Sequence, residues 1–210
     1  MNRRDALRLG LAGTTALIGN ATIGGVAFAQ DTAEPIVIDD KFLGAEDAPV
    51  TVIEYASFTC PHCARFHAEV FPKIKENYID TGKVKFVYRE VYFDRPGLWG
   101  GLLARCSGDT RYFGVVGLLY EKQREWLGNG SPGVIAENLR TIGRTVGMSD
   151  TEMDACFTDA DTAQAMLAHY EETATADGLQ GTPSFVVDGK LYSNMSYPDF
   201  AALLDEKLAG

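Results

Sequence analysis

Cys60-Pro61-His62-Cys63 falls between an apolar run and a helical repeat, and that position leaves the chain few ways to fold. Upstream, Val50-Thr-Val-Ile-Glu-Tyr-Ala56 is β-branched and apolar, as a buried strand is; downstream, Phe66, Val70, Ile74 and Tyr78 recur every four residues, as on one helix face. Pro61 suits a first helical turn, where its missing N–H costs nothing. Two thiols one turn apart at such a junction point to dithiol/disulfide chemistry. Cys60 is the expected nucleophile, because unpaired N–H groups and the helix dipole favour an anion at a helix N-terminus. The dipole contributes about 0.3–1 kcal/mol against 1.36 kcal/mol per pKa unit, so stronger acidification needs direct hydrogen bonds to the sulfur. The N–H groups of His62 and Cys63 and the His62 imidazole are the expected donors.

The rest of the chain reads as sheet, helices and sheet again. Ile36-Val-Ile38 is expected as a first short strand, and Asp47-Ala-Pro49 as the turn before the strand carrying Glu54. The helix after Cys60 should run to about Tyr78, bent at Pro72. Lys83-Val-Lys-Phe-Val-Tyr-Arg89 alternates polar and apolar residues, so it is the next strand, parallel to the last because a helix intervenes. From Gly97 to about Ala176 the spacing is helical throughout: Ser131-Pro132 starts a helix, Gly147 ends it, Ser149-Asp-Thr-Glu152 is a capping box, and a last helix stops near Gly178. Ser184-Phe-Val-Val187 and Lys190-Leu-Tyr192 flank Asp188-Gly189 as a hairpin, and Pro198 opens a final amphipathic helix. The expected division is residues 30–96, a helical insert over 97–177, and a return over 178–210.

Residues 1–29 are set aside from the fold. Arg3-Arg4, Leu7 and a weakly apolar Gly/Ala/Thr stretch ending in Ala27-Phe28-Ala29 read as a twin-arginine-like signal cleaved after Ala29. Six Gly and Asn residues between Gly10 and Gly25 make this a poor membrane-spanning helix. Removing the segment leaves 181 residues with a net charge of −12, which disfavours nucleic acid and anionic lipid as partners. An exported, periplasmic chain is expected, in a compartment where disulfides persist.

Glu54-Tyr-Ala-Ser-Phe-Thr-Cys-Pro-His-Cys63, with Gly181-Thr-Pro-Ser-Phe185 far downstream, resembles the DsbA-like thiol:disulfide oxidoreductases of the thioredoxin superfamily. The resemblance covers roughly Ile36 to the C-terminus. It implies an α/β (α+β) class, a thioredoxin-like fold with an inserted α-helical domain, and a Cys60–Cys63 disulfide in place of any cofactor. It implies a monomer that donates this disulfide to reduced exported proteins and is reoxidised by a DsbB-like membrane oxidase. Pro183 would be cis beside the Cys pair, and the Thr182 backbone would pair with an extended substrate segment. Glu54 would be the buried acid beneath Cys63, relaying its proton. Cys106 and Cys156 would form the second disulfide of some α-proteobacterial members, against the alternative of two buried free thiols; their 50-residue loop makes a bridge worth roughly 4 kcal/mol.

Three other readings compete. Cys60, Cys63 and His67 offer three ligands within two turns to copper or zinc, although His169 is isolated and no second Cys-x-x-Cys exists. Thr182 before Pro183 also resembles the disulfide isomerases, so isomerase or reductase activity on the same fold is the nearer alternative. An inert Cys60–Cys63 staple is the third, opposed by its short loop and its place at a helix start.

Overall fold

Alternating burial along the strand that leads to Cys60 organises the molecule. The computed structural model describes residues 35–210, so the expected signal lies outside the described residues. Strand β2 (Val50–Ala56) turns Val50, Val52 and Glu54 to one face and Thr51, Ile53 and Tyr55 to the other. With β1 (Lys41–Leu43), β3 (Val84–Glu90), β4 (Ser184–Val187) and β5 (Lys190–Ser193) it forms a five-stranded sheet of order β1-β3-β2-β4-β5. β2 and β3 are parallel, with Val50 opposite Val84; the other pairings are antiparallel, with Glu54 opposite Phe185 and Tyr55 opposite Ser184. The hairpin between β4 and β5 turns at Asp188 (φ 46°) and Gly189 (φ 78°), the paired left-handed residues that a two-residue turn of this twist requires.

On the first face, Val52, Phe86, Phe185 and Val187 meet Phe66, Ile74, Phe200 and Leu204. These come from α1 (Pro61–Glu69), α2 (Phe71–Ile74) and α9 (Tyr197–Ala209). Each such side chain is worth roughly 1.5–3 kcal/mol when fully buried. The second face packs Tyr55, Val91 and Val186 against Tyr170 and Ala174 of α8 (Ala160–Ala176).

Between β3 and β4 run α3 (Arg95–Cys106), α4 (Asp109–Glu121), α5 (Gln123–Leu127), α6 (Pro132–Thr145), α7 (Asp150–Thr158) and α8. Leu103, Leu119, Trp126, Leu139 and Met153 form their core, which continues into Ala56, Phe58 and Cys63. The stop and start signals act where the sequence puts them: Pro132 opens α6, Gly147 follows it at φ 83°, and the Ser149/Glu152 capping box opens α7. Gly143 lets α6 approach α7, since a Cβ there would collide with Met153 Sδ.

Two expectations about elements need correction. Ile36–Ile38 is not a strand: Ile36 and Val37 are exposed, Ile38 packs near Tyr92 and Met166, and the edge of β3 is taken instead by Lys41–Leu43. Asp40 is held by Arg89 at the end of that ladder, which leaves the preceding residues off the sheet. The helix after Cys60 is also not one bent rod. It breaks at Val70 into α1 and α2, because Pro72 has no N–H to return to the preceding turn, and it closes as a π-helical turn over Lys75–Ile79.

Candidate active site

The end of β2 delivers Cys60 as the N-cap of α1, with Pro61 in the first turn. Cys60 is half-buried and Cys63, one turn on, is fully buried; both are free thiols. Their surroundings drive them in opposite directions. A hydrogen bond from the Cys63 thiol is the main influence bringing Cys60 down to about 5; burial opposes it, and the Thr182 side chain and the backbone N–H groups of Cys63 and His62 assist. Cys63 is pushed far above the ordinary thiol range, by burial first, then by its bond to Cys60 and the neighbouring charges of Glu54 and Cys60. At neutral pH the pair is one thiolate and one thiol sharing a proton donor.

Thr182–Pro183 is a cis peptide, and Cys60 Sγ lies 3.5 Å from the Thr182 carbonyl oxygen. The register explains this neighbourhood: Tyr55 pairs with Ser184, so the residues just before Ser184 come level with the chain leaving β2. Ser184 Oγ donates to the Gly181 carbonyl at 2.6 Å and closes the loop on itself. Pro61 and His62 are exposed, and His62 acts on Cys60 through its backbone N–H.

Glu54 is fully buried on the face of β2 that α1 covers. His67, four residues beyond Cys63, places Nε2 at 2.9 and 3.1 Å from the two Glu54 oxygens and stacks its ring on Tyr120 at 4.1 Å. His67 is therefore a partner of the acid, where the metal reading needs it as a third ligand beside the two cysteines. Among the described residues no group of three or more His, Cys, Asp or Glu is placed to hold a metal ion.

Two further residues brace the site from the helices. Gln123, buried at the start of α5, donates from Nε2 to the carbonyls of Phe58 (2.8 Å) and Cys60 (2.9 Å). Asp94 caps α3 through Gly97 N and accepts from Thr59 Oγ1 at 2.8 Å, one residue before Cys60. Sequence reading missed His67, Gln123 and Asp94 in these roles. The i,i+4 relation of Cys63 to His67 was the available signal for one; Asp94 before Arg95-Pro96 was a legible cap; nothing local marked Gln123. Cys106 and Cys156 are joined, tying α3 to α7 with Cα atoms 6.1 Å apart.

Comparison with known proteins agrees with this arrangement. Residues 37–206 match the family profile described as thioredoxin. The chain is 33% identical over 171 residues to a protein of Rickettsia bellii named as a protein-disulfide oxidoreductase, covering 81% of this chain and 65% of that one. It is 27% identical to disulfide bond formation protein D of Bacillus subtilis, over 85% of this chain and 82% of that protein. Thus the chain spans a little under two thirds of the length of the Rickettsia relative. The crystal structure of Wolbachia pipientis α-DsbA1 superposes with a TM-score of 0.76 at 27% identity, covering 84% of this chain and 94% of that one.

Proposed function

Because this chain belongs to the thioredoxin family as a DsbA-like member, we propose that it is a periplasmic protein-disulfide oxidoreductase that donates its Cys60–Cys63 disulfide to exported proteins. One observation carries the direction of transfer: Cys60 is held as a thiolate, down at about 5, while its neighbour is held as a thiol. Stabilising that thiolate stabilises the reduced protein, which makes the disulfide the better oxidant; about 1.4 kcal/mol corresponds to about 30 mV.

In the proposed cycle a substrate thiolate attacks Cys60, the half-exposed sulfur, and Cys63 leaves. The mixed disulfide is then resolved by the substrate's second thiol. The Thr182 backbone, opposite Cys60, would pair with an extended stretch of substrate, giving affinity without sequence preference. Glu54 supplies the proton that the leaving Cys63 needs. All of these groups lie on one chain, so a monomer suffices, and a DsbB-like membrane oxidase would restore the disulfide. Export rests on the N-terminal signal pattern and on Cys106–Cys156; no helix of the described residues is long and apolar enough to cross a membrane.

The test is the midpoint potential of the Cys60/Cys63 couple against glutathione. Donation requires a value well above that of glutathione, and a value well below it would make the protein a reductase. Refolding of a reduced substrate, compared with a scrambled one, separates oxidase from isomerase.

A further inference from the structure

We propose that His67 carries a proton between the buried Glu54 carboxyl and solvent, with the cavity beside α4 as its port, so that Cys63 is protonated from behind the active site. This rests on the disulfide-exchange reading above and extends it by one residue and one route.

The geometry is that of a relay. Glu54 and His67 meet at 2.9 and 3.1 Å through Nε2, so at least one hydrogen lies between acceptor atoms that could not otherwise bond. Glu54 is wholly buried, and the His67 side chain retains 7% of its exposure. That remainder opens into a cavity of about 630 Å³ bounded by α1, α2, β3 and α4, lined by His67, Phe71, Phe113, Gly117 and Tyr120 among others. The second ring nitrogen, Nδ1, makes no hydrogen bond. Among the described residues the only fully buried side-chain nitrogen or oxygen without a partner is Arg105 Nε, so Nδ1 is not fully enclosed, and His67 lines the cavity. One ring thus offers one nitrogen to the acid and the other to the port, as a proton shuttle requires.

The charged and titratable groups facing His67 are few. They are Glu54 from β2, Tyr88 from β3, Tyr120 and Glu121 from α4, Cys63 from its own helix, and Lys75 at the start of the π-helical turn. Tyr88 and Tyr120 hydrogen-bond to each other at 2.6 Å, and burial holds both phenols protonated well above their usual range. Lys75 is paired with Asp80. Glu54 and His67 are the pair left to exchange a proton with Cys63, whose thiol feels the Glu54 charge.

A substrate thiolate bonds to Cys60 Sγ, the Cys60–Cys63 bond breaks, and its electron pair leaves on Cys63 Sγ. Cys63 takes a proton from the Glu54–His67 pair, and His67 recovers one from water in the cavity. The substrate sulfur is oxidised, Cys63 is reduced, and one proton is consumed. Reoxidation runs the same route outward.

Two variants test the route separately, with the rate of exchange between the oxidised protein and reduced glutathione followed from pH 5 to 9. His67→Gln should slow exchange tenfold or more and alter its dependence on pH, a change that a packing role would not produce. Gly117→Leu leaves Glu54 and His67 in place and fills the port; a Cβ there meets nothing within 4 Å, and Leu suits a helix better than Gly. It should slow exchange severalfold while leaving the midpoint potential unchanged, because a blocked path alters rates and not equilibria. Wild-type rates at every pH in either variant would overturn the proposal. Glutathione exchange tests the relay whichever direction the protein works in, whereas the midpoint potential tests the direction alone, so the two readings fail separately.

Discussion

Cys60 and Cys63 lie three positions apart and stand as free thiols, whereas Cys106 and Cys156 are separated by 50 positions and joined. Cys60 begins a helix, where backbone N–H groups and the positive end of the dipole face the sulfur; Cys106 ends one, where carbonyl oxygens face it. A thiolate is welcome at the first place and unwelcome at the second. Loop length adds to the contrast, since closing about 50 residues stabilises the folded chain by roughly 4 kcal/mol and closing a single turn contributes much less. A pair of cysteine sulfurs therefore makes a transferable bond in one setting and a staple in the other. What differs is whether the reduced state has something to gain.

The contrast breaks most sharply at Cys63. Cys63→Ala removes the main hydrogen bond to the Cys60 sulfur, so thiolate absorbance should titrate above its starting value of about 5, and disulfide transfer should cease. An unchanged titration would mean that the helix start alone sets the acidity. In the unaltered protein the same thiolate links stability to pH. Cys60 is depressed in the folded reduced form, so its contribution is complete above the free-thiol value near 9 and is lost as pH falls to about 5. Denaturant unfolding of the reduced form should show this gain with rising pH, and the oxidised form, which has no such thiolate, should not.

The second pair supplies the next effect. Replacing Cys106 and Cys156 together with Ala should lower unfolding stability by about 2–5 kcal/mol while Cys60 titrates as before. A shift in the Cys60 titration would show that the two pairs are coupled.

Gln123 then asks whether the helices only cover the active site or also hold it. Gln123→Leu leaves the buried Phe58 carbonyl without its donor and the Cys60 carbonyl with only its bond from Ala64 N, at a cost of roughly 1–3 kcal/mol, and should slow thiol exchange by loosening the approach to Cys60. Unfolding and exchange measured together check it. Ser149→Ala is the smallest: losing the capping box of α7 should cost about 1 kcal/mol and leave the Cys60/Cys63 potential untouched.

The parts of the site legible in the sequence are those with local causes. Cys60-Pro61-His62-Cys63 after an apolar run marks a strand–helix junction because Pro61 and the spacing of Phe66 permit nothing else nearby, and Ser149 with Glu152 marks a helix start for the same kind of reason. Thr182 and Pro183 carry no such local signal of their role. They were identified through a family resemblance, and the β2–β4 register is what brings them to Cys60. His67 entered the sequence reading only as a candidate metal ligand, since the carboxylate it meets lies 13 positions earlier on another element. Ile36–Ile38 failed as a strand because an apolar run does not say which three residues will find an unpaired edge.

By itself, then, the sequence determined most of the strands and helices, several of the caps and turns between them, and the chemistry its two vicinal thiols can perform, since each follows from interactions within a few residues. Only the tertiary structure decided that the Thr182 carbonyl comes beside Cys60, that Glu54 meets His67, and that Gln123 grips the Cys60 carbonyl. Those outcomes depend on burial and on hydrogen bonds between distant segments, and neither exists until the sheet and helices have closed around them.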